Sequence, residues 1–303
     1  MEHDDGAIII TETQWRQFVE QGFCSLGVLG APELGKLSAR VDDIMLGRVP
    51  AAELDYGRLL MQTEDSRGKL QGGRGHSQGS TLSYCKVQGL EHDPVLREYM
   101  RGPLFRAVAQ RLHGESEAVA VYRAMLINKP PGGQERVGWH MDRWATLDRD
   151  PKASVYLALD AQTPENGCIH VSPQSHLLGI GNERSSGAAF LTAARVDEAL
   201  AVNPAVPLLL QAGEVVLLAA HCLHSSGANP STHPRRAISV CLMEAATRWS
   251  GEGGYRETGP IEPQKRGQDT GATVLFGNAD YPERLGDDPE VGRRSYVRPA
   301  AQL

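Results

Sequence analysis

The chain has 303 residues, 41% of them hydrophobic, and a formal net charge of −6; that is enough to bury a large core as one domain or two, while the acidic balance and scattered basic residues exclude binding that works by neutralising phosphates. No apolar run approaches the roughly 18 residues that cross a bilayer, and Met1-Glu2-His3-Asp4-Asp5 lacks the positive region of a signal peptide, so a cytoplasmic chain with neither a nucleic-acid nor a membrane partner is expected. Five widely spaced cysteines without a Cys-x-x-Cys pair point to neither a disulfide framework nor a structural zinc site.

Thr11-Glu12-Thr13-Gln14 has the form of a capping box, and Trp15, Phe18 and Val19 share a helical face before Gly22 stops the helix. Phe23 to Leu29 reads as a short strand, and a second helix begins near Pro32 with Leu34, Leu37, Val41 and Ile44 at helical spacing. From about Gly47 to Ser80 the periodicity fades. Gly68, Gly72, Gly73, Gly75 and Gly79 crowd there among Arg67, Lys69, Arg74 and His76, which predicts a mobile segment or one that wraps a site. The glycine spacing matches no phosphate-cradling loop. Asp93 to Leu112 reads as one helix with Val95, Leu96, Tyr99, Leu104, Val108 and Leu112 as its apolar stripe.

After Gly114 the pattern changes to strands and turns. Ala118 to Asn128, Ala153 to Leu159, Cys168 to Ser172, Ala205 to Leu210, Glu214 to Ala220 and Arg236 to Met243 read as strands, with turn chemistry at Pro164-Glu165-Asn166-Gly167. Helices first and then many short strands predict a mainly β, α+β protein built on an antiparallel double sheet, with a jelly roll as the leading candidate. The tail from Ser250 reads as loops apart from the apolar patch Ala272 to Phe276.

Within the strand region lies Gly138-Trp139-His140-Met141-Asp142-Arg143-Trp144. His140 and Asp142 in an extended segment project from one face, so an imidazole and a carboxylate could meet one metal ion. The best third ligand is His224, whose following Ser225-Ser226-Gly227-Ala228-Asn229 is turn chemistry that would set it at a strand end; His221 is the competitor and must face the opposite side of a shared strand. Two histidines and a carboxylate form the facial triad of non-haem Fe(II) oxygenases. Such a site needs electrons from a co-substrate, and Arg235 or Arg236 at the start of the next strand could grip a dicarboxylate with the planar fork that lysine lacks. The bland alternative is a solvated arginine pair.

These stretches resemble the phytanoyl-CoA dioxygenase family of Fe(II)/2-oxoglutarate oxygenases from the opening helix to about Glu244. The matching residues are Lys86-Val87-Gln88, Met125 to Pro131, Trp139 to Asp142, Asn166-Gly167-Cys168, Ser172 to His176, His224 to Asn229 and Arg235 to Ser239. The resemblance implies a double-stranded β-helix (cupin-like jelly roll) with N-terminal and flanking helices, and iron held by His140, Asp142 and His224. It further implies that Arg235 grips the distal carboxylate of 2-oxoglutarate with Ser226 beside it, that Lys86, Met125 and Tyr156 line the co-substrate pocket, and that Arg236 is the outward neighbour. Tyr156 stands where many relatives have tryptophan, Arg123 where others carry a different polar residue, and Gln174 where glycine is usual. Halogenases of the superfamily have a small residue at the position of Asp142, so halogenation is disfavoured.

The implied reaction uses Fe(II), 2-oxoglutarate and O2 to oxidise an unactivated C–H bond of a small-molecule substrate, releasing succinate and CO2. Arg143 and Trp144 directly after the second ligand, with Arg123, are the candidate substrate contacts; a cation beside an aromatic surface suits a polar metabolite or natural-product intermediate. An acyl-CoA substrate and a binding barrel without turnover are the alternatives. The C-terminal Ala301-Gln302-Leu303 is no peroxisomal signal. One domain is expected across 1–303: a mainly helical part over 1–115, a barrel core over 116–245 and C-terminal loops over 246–303.

Overall fold

In the computed structural model, which describes residues 10–114, 117–144, 146–179, 191–250 and 267–278, the capping box closes as its residues predict. The Thr11 hydroxyl accepts from the Gln14 N–H, and the Gln14 side chain accepts from the Thr11 N–H, opening helix α1 (Glu12–Gln21). Gly22 ends it in the left-handed region at φ 85°. Strand β1 (Phe23–Val28) follows, then α2 (Ala31–Met45), which buries Leu37, Val41, Ile44 and Met45.

The glycine-rich stretch, read from its sequence as mobile or as wrapping a site, contains paired strands. β2 (Leu60–Glu64) and β3 (Leu70–Arg74) pair as an antiparallel hairpin, closed by Asp65, whose carboxylate accepts from the Arg67 and Lys69 N–H groups. A Cβ on Gly72, at φ 148°, would lie 2.2 Å from the Met61 carbonyl oxygen. Glycine there serves close strand approach, which apolar periodicity does not reveal. β4 (Lys86–Gln88) extends this sheet. The single helix expected over Asp93 to Leu112 is two, α3 (Pro94–Met100) and α4 (Pro103–His113), because Pro103 lacks an N–H and its ring clashes with the preceding helical turn.

Eight further strands make the jelly roll: β5 (Val119–Lys129), β6 (Val137–His140), β7 (Ala153–Ala158), β8 (Ile169–Val171), β9 (Val206–Pro207), β10 (Glu214–Ala219), β11 (His224–Ser226) and β12 (Arg235–Glu244). These strands alternate between two antiparallel sheets except at β8 and β9, which pair with each other in the smaller one. The larger has the order β1-β10-β7-β12-β5-β4-β2-β3 and the smaller β6-β11-β8-β9. A helix α5 (Ala193–Val202), with no counterpart in the sequence reading, connects β8 to β9. The expected strand over Ala205 to Leu210 shrinks to two residues. The apolar patch of the tail is a strand, β13 (Thr273–Phe276), paired with β5; the rest of the tail, 251–266 and 279–303, lies outside the described residues.

One apolar cluster joins α2, the larger sheet and the β8 residues Ile169 and Val171 of the smaller sheet. On β7 every residue is buried. Alternation therefore decides the sides: Val155 and Leu157, opposite Val240 and Ile238, share one face, and Ser154 and Tyr156 share the other. Among the described residues no helix is long and apolar enough to cross a membrane.

Candidate metal and co-substrate site

β6 and β11 are neighbours in the smaller sheet, and their register sets His224 directly opposite His140. The two rings lie with centroids 4.1 Å apart. Strand β6 ends at His140, so Asp142 sits in the following bend instead of on the extended segment expected; its N–H donates to the Ala220 carbonyl at 2.7 Å. The carboxylate still reaches the same side, with Oδ1 3.9 Å from His140 Nε2. One ligand atom from each of the three residues lies within 4.8 Å of the others, and no second such group occurs among the described residues.

Backbone carbonyls set the tautomers. His140 Nδ1 is 2.9 Å from the Gly138 oxygen and His224 Nδ1 is 2.9 Å from the Cys222 oxygen. A carbonyl only accepts, so each Nδ1 carries the proton and each Nε2 the lone pair, the form in which imidazole ligates a metal. Burial, and next the adjacent His224, push His140 down to about 4, which keeps it neutral near pH 7. Ser154, 2% exposed, donates its hydroxyl to Asp142 Oδ2 at 3.3 Å. Oδ1 is thereby left as the oxygen turned toward His140.

His221 does not share a strand with His224. It occupies the turn between β10 and β11, its side chain 44% exposed with Nε2 3.3 Å from Asp150 Oδ2. The turn, and not strand alternation, separates the two histidines.

Register carries the other expected residues onto one face of the larger sheet. Arg235 lies opposite Lys129; Ala237 opposite Ile127, which pairs with Lys86; Ser239 opposite Met125 and Tyr156; Cys241 opposite Arg123 and Ser154. Cross-strand partners share a face, so Lys86, Met125, Tyr156, Arg123 and Arg235 look the same way as Ser154, toward Asp142. Ser226, buried, follows His224 on the same face of β11.

Arg235 is 1% exposed. Its Nη1 donates to the Tyr156 hydroxyl at 3.1 Å and its Nη2 to the Gly167 carbonyl at 2.6 Å, while Nε is buried without an acceptor. The approach needs glycine at 167: at φ 76°, a Cβ would meet the Ala228 and Gly227 carbonyl oxygens at 2.6 and 2.7 Å. The neighbouring cation Lys129 is matched by Glu135, with Nζ 2.7 Å from Oε2. Arg235 has no carboxylate in ion-pair distance among the described residues. Arg236 faces the other way as expected, yet it is not solvated. Its Nε and Nη2 donate to the two oxygens of Asp160 at 3.0 and 2.8 Å and its Nη1 to Asp42 of α2 at 2.6 Å, and these bonds, Asp160 first, raise it above the ordinary guanidinium value.

The three candidate substrate residues divide. The Arg123 guanidinium lies 5.5 Å from the Trp144 ring centre and 5.6 Å from that of Tyr122, and the two rings meet edge to face at 4.6 Å. Arg143 instead donates from Nε to Asp150 at 2.9 Å and so braces the loop. Ser154 and Gln162, whose side chain accepts from Tyr156 at 3.1 Å, escaped the sequence reading. Ser154 had a signal, being two residues before Tyr156 on a predicted strand; Gln162 had none.

The chain matches the family model described as phytanoyl-CoA dioxygenase (PhyH) over residues 18–237. It is 29% identical over 282 residues to the phytanoyl-CoA dioxygenase domain-containing protein 1 of Mus musculus, covering 80% of this chain and 93% of the relative. Among solved structures it is similar in fold to the non-heme alpha ketoglutarate dependent carbocyclase SnoK from nogalamycin biosynthesis, at TM-score 0.63 and 20% identity over 86% of this chain and 92% of that one. EctD from S. alaskensis, solved with 2-oxoglutarate and 5-hydroxyectoine, superposes at TM-score 0.64 and 19% identity, covering 88% and 87%. The match runs from α1 into β12 and so spans most of the jelly roll: the chain belongs to the phytanoyl-CoA dioxygenase family and is an Fe(II)/2-oxoglutarate-dependent oxygenase.

Proposed function

We propose that the chain hydroxylates an unactivated C–H bond of a small polar metabolite or natural-product intermediate, using iron held by His140, Asp142 and His224 and 2-oxoglutarate anchored by Arg235. The observation that carries this reading is Arg235, a buried guanidinium with no carboxylate in ion-pair distance among the described residues, on the sheet face turned toward a two-histidine, one-carboxylate cluster. A buried cation is costly unless paired. The distal carboxylate of a dicarboxylic co-substrate is the partner that removes the cost, and Ser226, Lys86, Met125 and Tyr156 are its proposed surroundings.

The donor set fits iron. Two neutral imidazoles and one carboxylate on one side of an ion leave the opposite positions open, and Nδ1 of each imidazole is already committed to a carbonyl. When bound, iron and 2-oxoglutarate supply the oxidising power, with succinate and CO2 as the co-product pair. The chain's own residues do the positioning. Ser154 holds one oxygen of Asp142, Asp150 braces the loop through Arg143, and Arg123 beside Trp144 presents a cation on an aromatic wall. That wall supports a polar substrate. The chain is proposed to work as one oxygenase domain.

The test is succinate release from 2-oxoglutarate with Fe(II) and O2 across a panel of polar metabolites and branched acyl-CoA thioesters. His140→Ala, Asp142→Ala and His224→Ala are each expected to abolish Fe(II) binding and turnover, and His221→Ala to preserve both. Survival of activity in His224→Ala with loss in His221→Ala would reverse the third ligand, and coupled turnover of the acyl-CoA thioesters alone would overturn the substrate class.

A further inference from the structure

Arg235, Tyr156 and Gln162 form one buried hydrogen-bond chain. Gln162 is 1% exposed and follows β7 in a segment bridged to Leu210, each backbone N–H donating to the other's carbonyl at 2.8 and 3.2 Å. Its backbone is therefore fixed independently of its side chain. Arg235 Nη1 donates to the Tyr156 hydroxyl at 3.1 Å, and a guanidinium can only donate. The hydroxyl's own proton goes to the other neighbour, Gln162 Oε1, also at 3.1 Å.

Two donors along this hydrogen-bond chain, Arg235 Nε and Gln162 Nε2, are buried without an acceptor among the described residues. Buried polar groups are almost always satisfied, so a surplus of donors beside a cation with no carboxylate among the described residues marks a place for acceptor oxygens, which a carboxylate carries in pairs. Gln162 reaches this place through Tyr156, at the position where the sequence departs from the tryptophan of many relatives.

We propose that Gln162 is a positioning residue of the co-substrate anchor: its amide commits the Tyr156 hydroxyl to accept from Arg235 and so holds the guanidinium in the orientation that receives the distal carboxylate of 2-oxoglutarate. The proposal rests on the reading of Arg235 as that anchor. Without the amide the hydroxyl proton has no fixed acceptor, the phenol turns, and Nη1 loses the contact that keeps the fork in place.

The experiment is calorimetric titration of 2-oxoglutarate into anaerobic, Fe(II)-loaded protein, with Fe(II) affinity measured separately. Gln162→Leu should raise the Kd for 2-oxoglutarate about five- to tenfold, the equivalent of one net hydrogen bond, and leave Fe(II) affinity unchanged. Tyr156→Phe should do the same, and the double variant should be no worse than the weaker single one, because both break one chain. A merely structural glutamine would give additive losses. If Gln162→Leu does not fold, Gln162→Met, which also lacks the acceptor, carries the same expectation. An unchanged or tighter Kd in either Gln162 variant, or additive losses in the double variant, overturns the proposal. Arg235→Leu separates the two readings: retained 2-oxoglutarate binding there would remove the anchor itself, whereas its loss alongside a silent Gln162 variant would remove the positioning role alone.

Discussion

Arg235 and Arg236 are adjacent residues of one type whose chemistry diverges because a strand sends them to opposite faces. Arg235 keeps an N–H without an acceptor among the described residues, and Arg236 ties the segment after β7 to α2 through Asp160 and Asp42. Arg235→Lys should weaken 2-oxoglutarate binding about tenfold, since the charge stays but the fork is lost. Arg236→Lys should leave that affinity alone and cost about 1–2 kcal/mol of stability by removing a two-point carboxylate contact, visible as a lower Tm. An Arg236→Lys protein of wild-type stability with poor 2-oxoglutarate affinity would exchange the roles. Glu91 gives a pH signature. Burial pushes its carboxyl up to about 7, against backbone donors and the charges of Arg58 and Arg123. A raised native value means the folded protein keeps the proton longer than the unfolded chain, so the stabilising effect is complete below the ordinary carboxylate range and lost as pH rises through about 7. At about 1.4 kcal/mol per tenfold change in proton affinity, the loss is on the order of 3 kcal/mol. Chemical denaturation from pH 4.5 to 8 should show this decline, and Glu91→Gln should flatten it; an identical pH profile in the variant would rule it out.

The segment from β6 to β7 is the element on which the site turns. It carries His140 at a strand end, Asp142 in a bend, and then Arg143 and Trp144, held by Asp150 on one side and by Tyr122 and Arg123 on the other. Trp144 also packs beside a second buried apolar cluster that includes Leu147 and Met243, so part of its role is to fix the path of this loop. Trp144→Ala should therefore spare Fe(II) and 2-oxoglutarate binding but uncouple turnover, with succinate formed in excess of oxidised substrate, because a displaced substrate leaves no C–H bond in reach. Equal yields of succinate and oxidised substrate in that variant would take Trp144 out of the substrate site.

At the scale of the whole molecule the site spans both sheets. His140 and His224 belong to the smaller sheet, Asp142 is held by Ser154 of the larger one, and Arg235 reaches in from the larger one as well. Ligands that bind such a site bind the folded chain and not the unfolded one, so they stabilise by mass action, about 2.7 kcal/mol at a hundredfold excess over Kd. Anaerobic Fe(II) with 2-oxoglutarate should raise Tm by roughly 5 °C or more for a chain of this size. The rise should persist in His221→Ala and vanish in His224→Ala, and an equal rise in both would place the metal elsewhere.

Local order was legible along the chain. The capping box at Thr11, the turn ending in Gly167, the strands around Ala153 and Glu214, and the His140-x-Asp142 pair rest on residue types and spacings within a few positions of each other, where backbone sterics and side-chain alternation act, whereas His224, far along the chain, meets them only through the pairing of β6 with β11. The failures have the same physical form in reverse. The hairpin of β2 and β3 was hidden because Gly72 answers to the Met61 backbone across the pair, and β13 because an apolar tetrad becomes a strand only when β5 offers it an edge. Ser154 and Gln162 acquire meaning from contacts to Asp142 and Tyr156. Sequence by itself determined the fold class, most of the strands after Gly114 and the family's chemistry, because those are written in local pattern and in matching motifs; tertiary structure decided which arginine is buried with no carboxylate beside it among the described residues, which histidine lies in a turn, and which neutral side chains hold the charged ones, because burial and hydrogen-bond partnership are properties of two strands brought together and of neither alone.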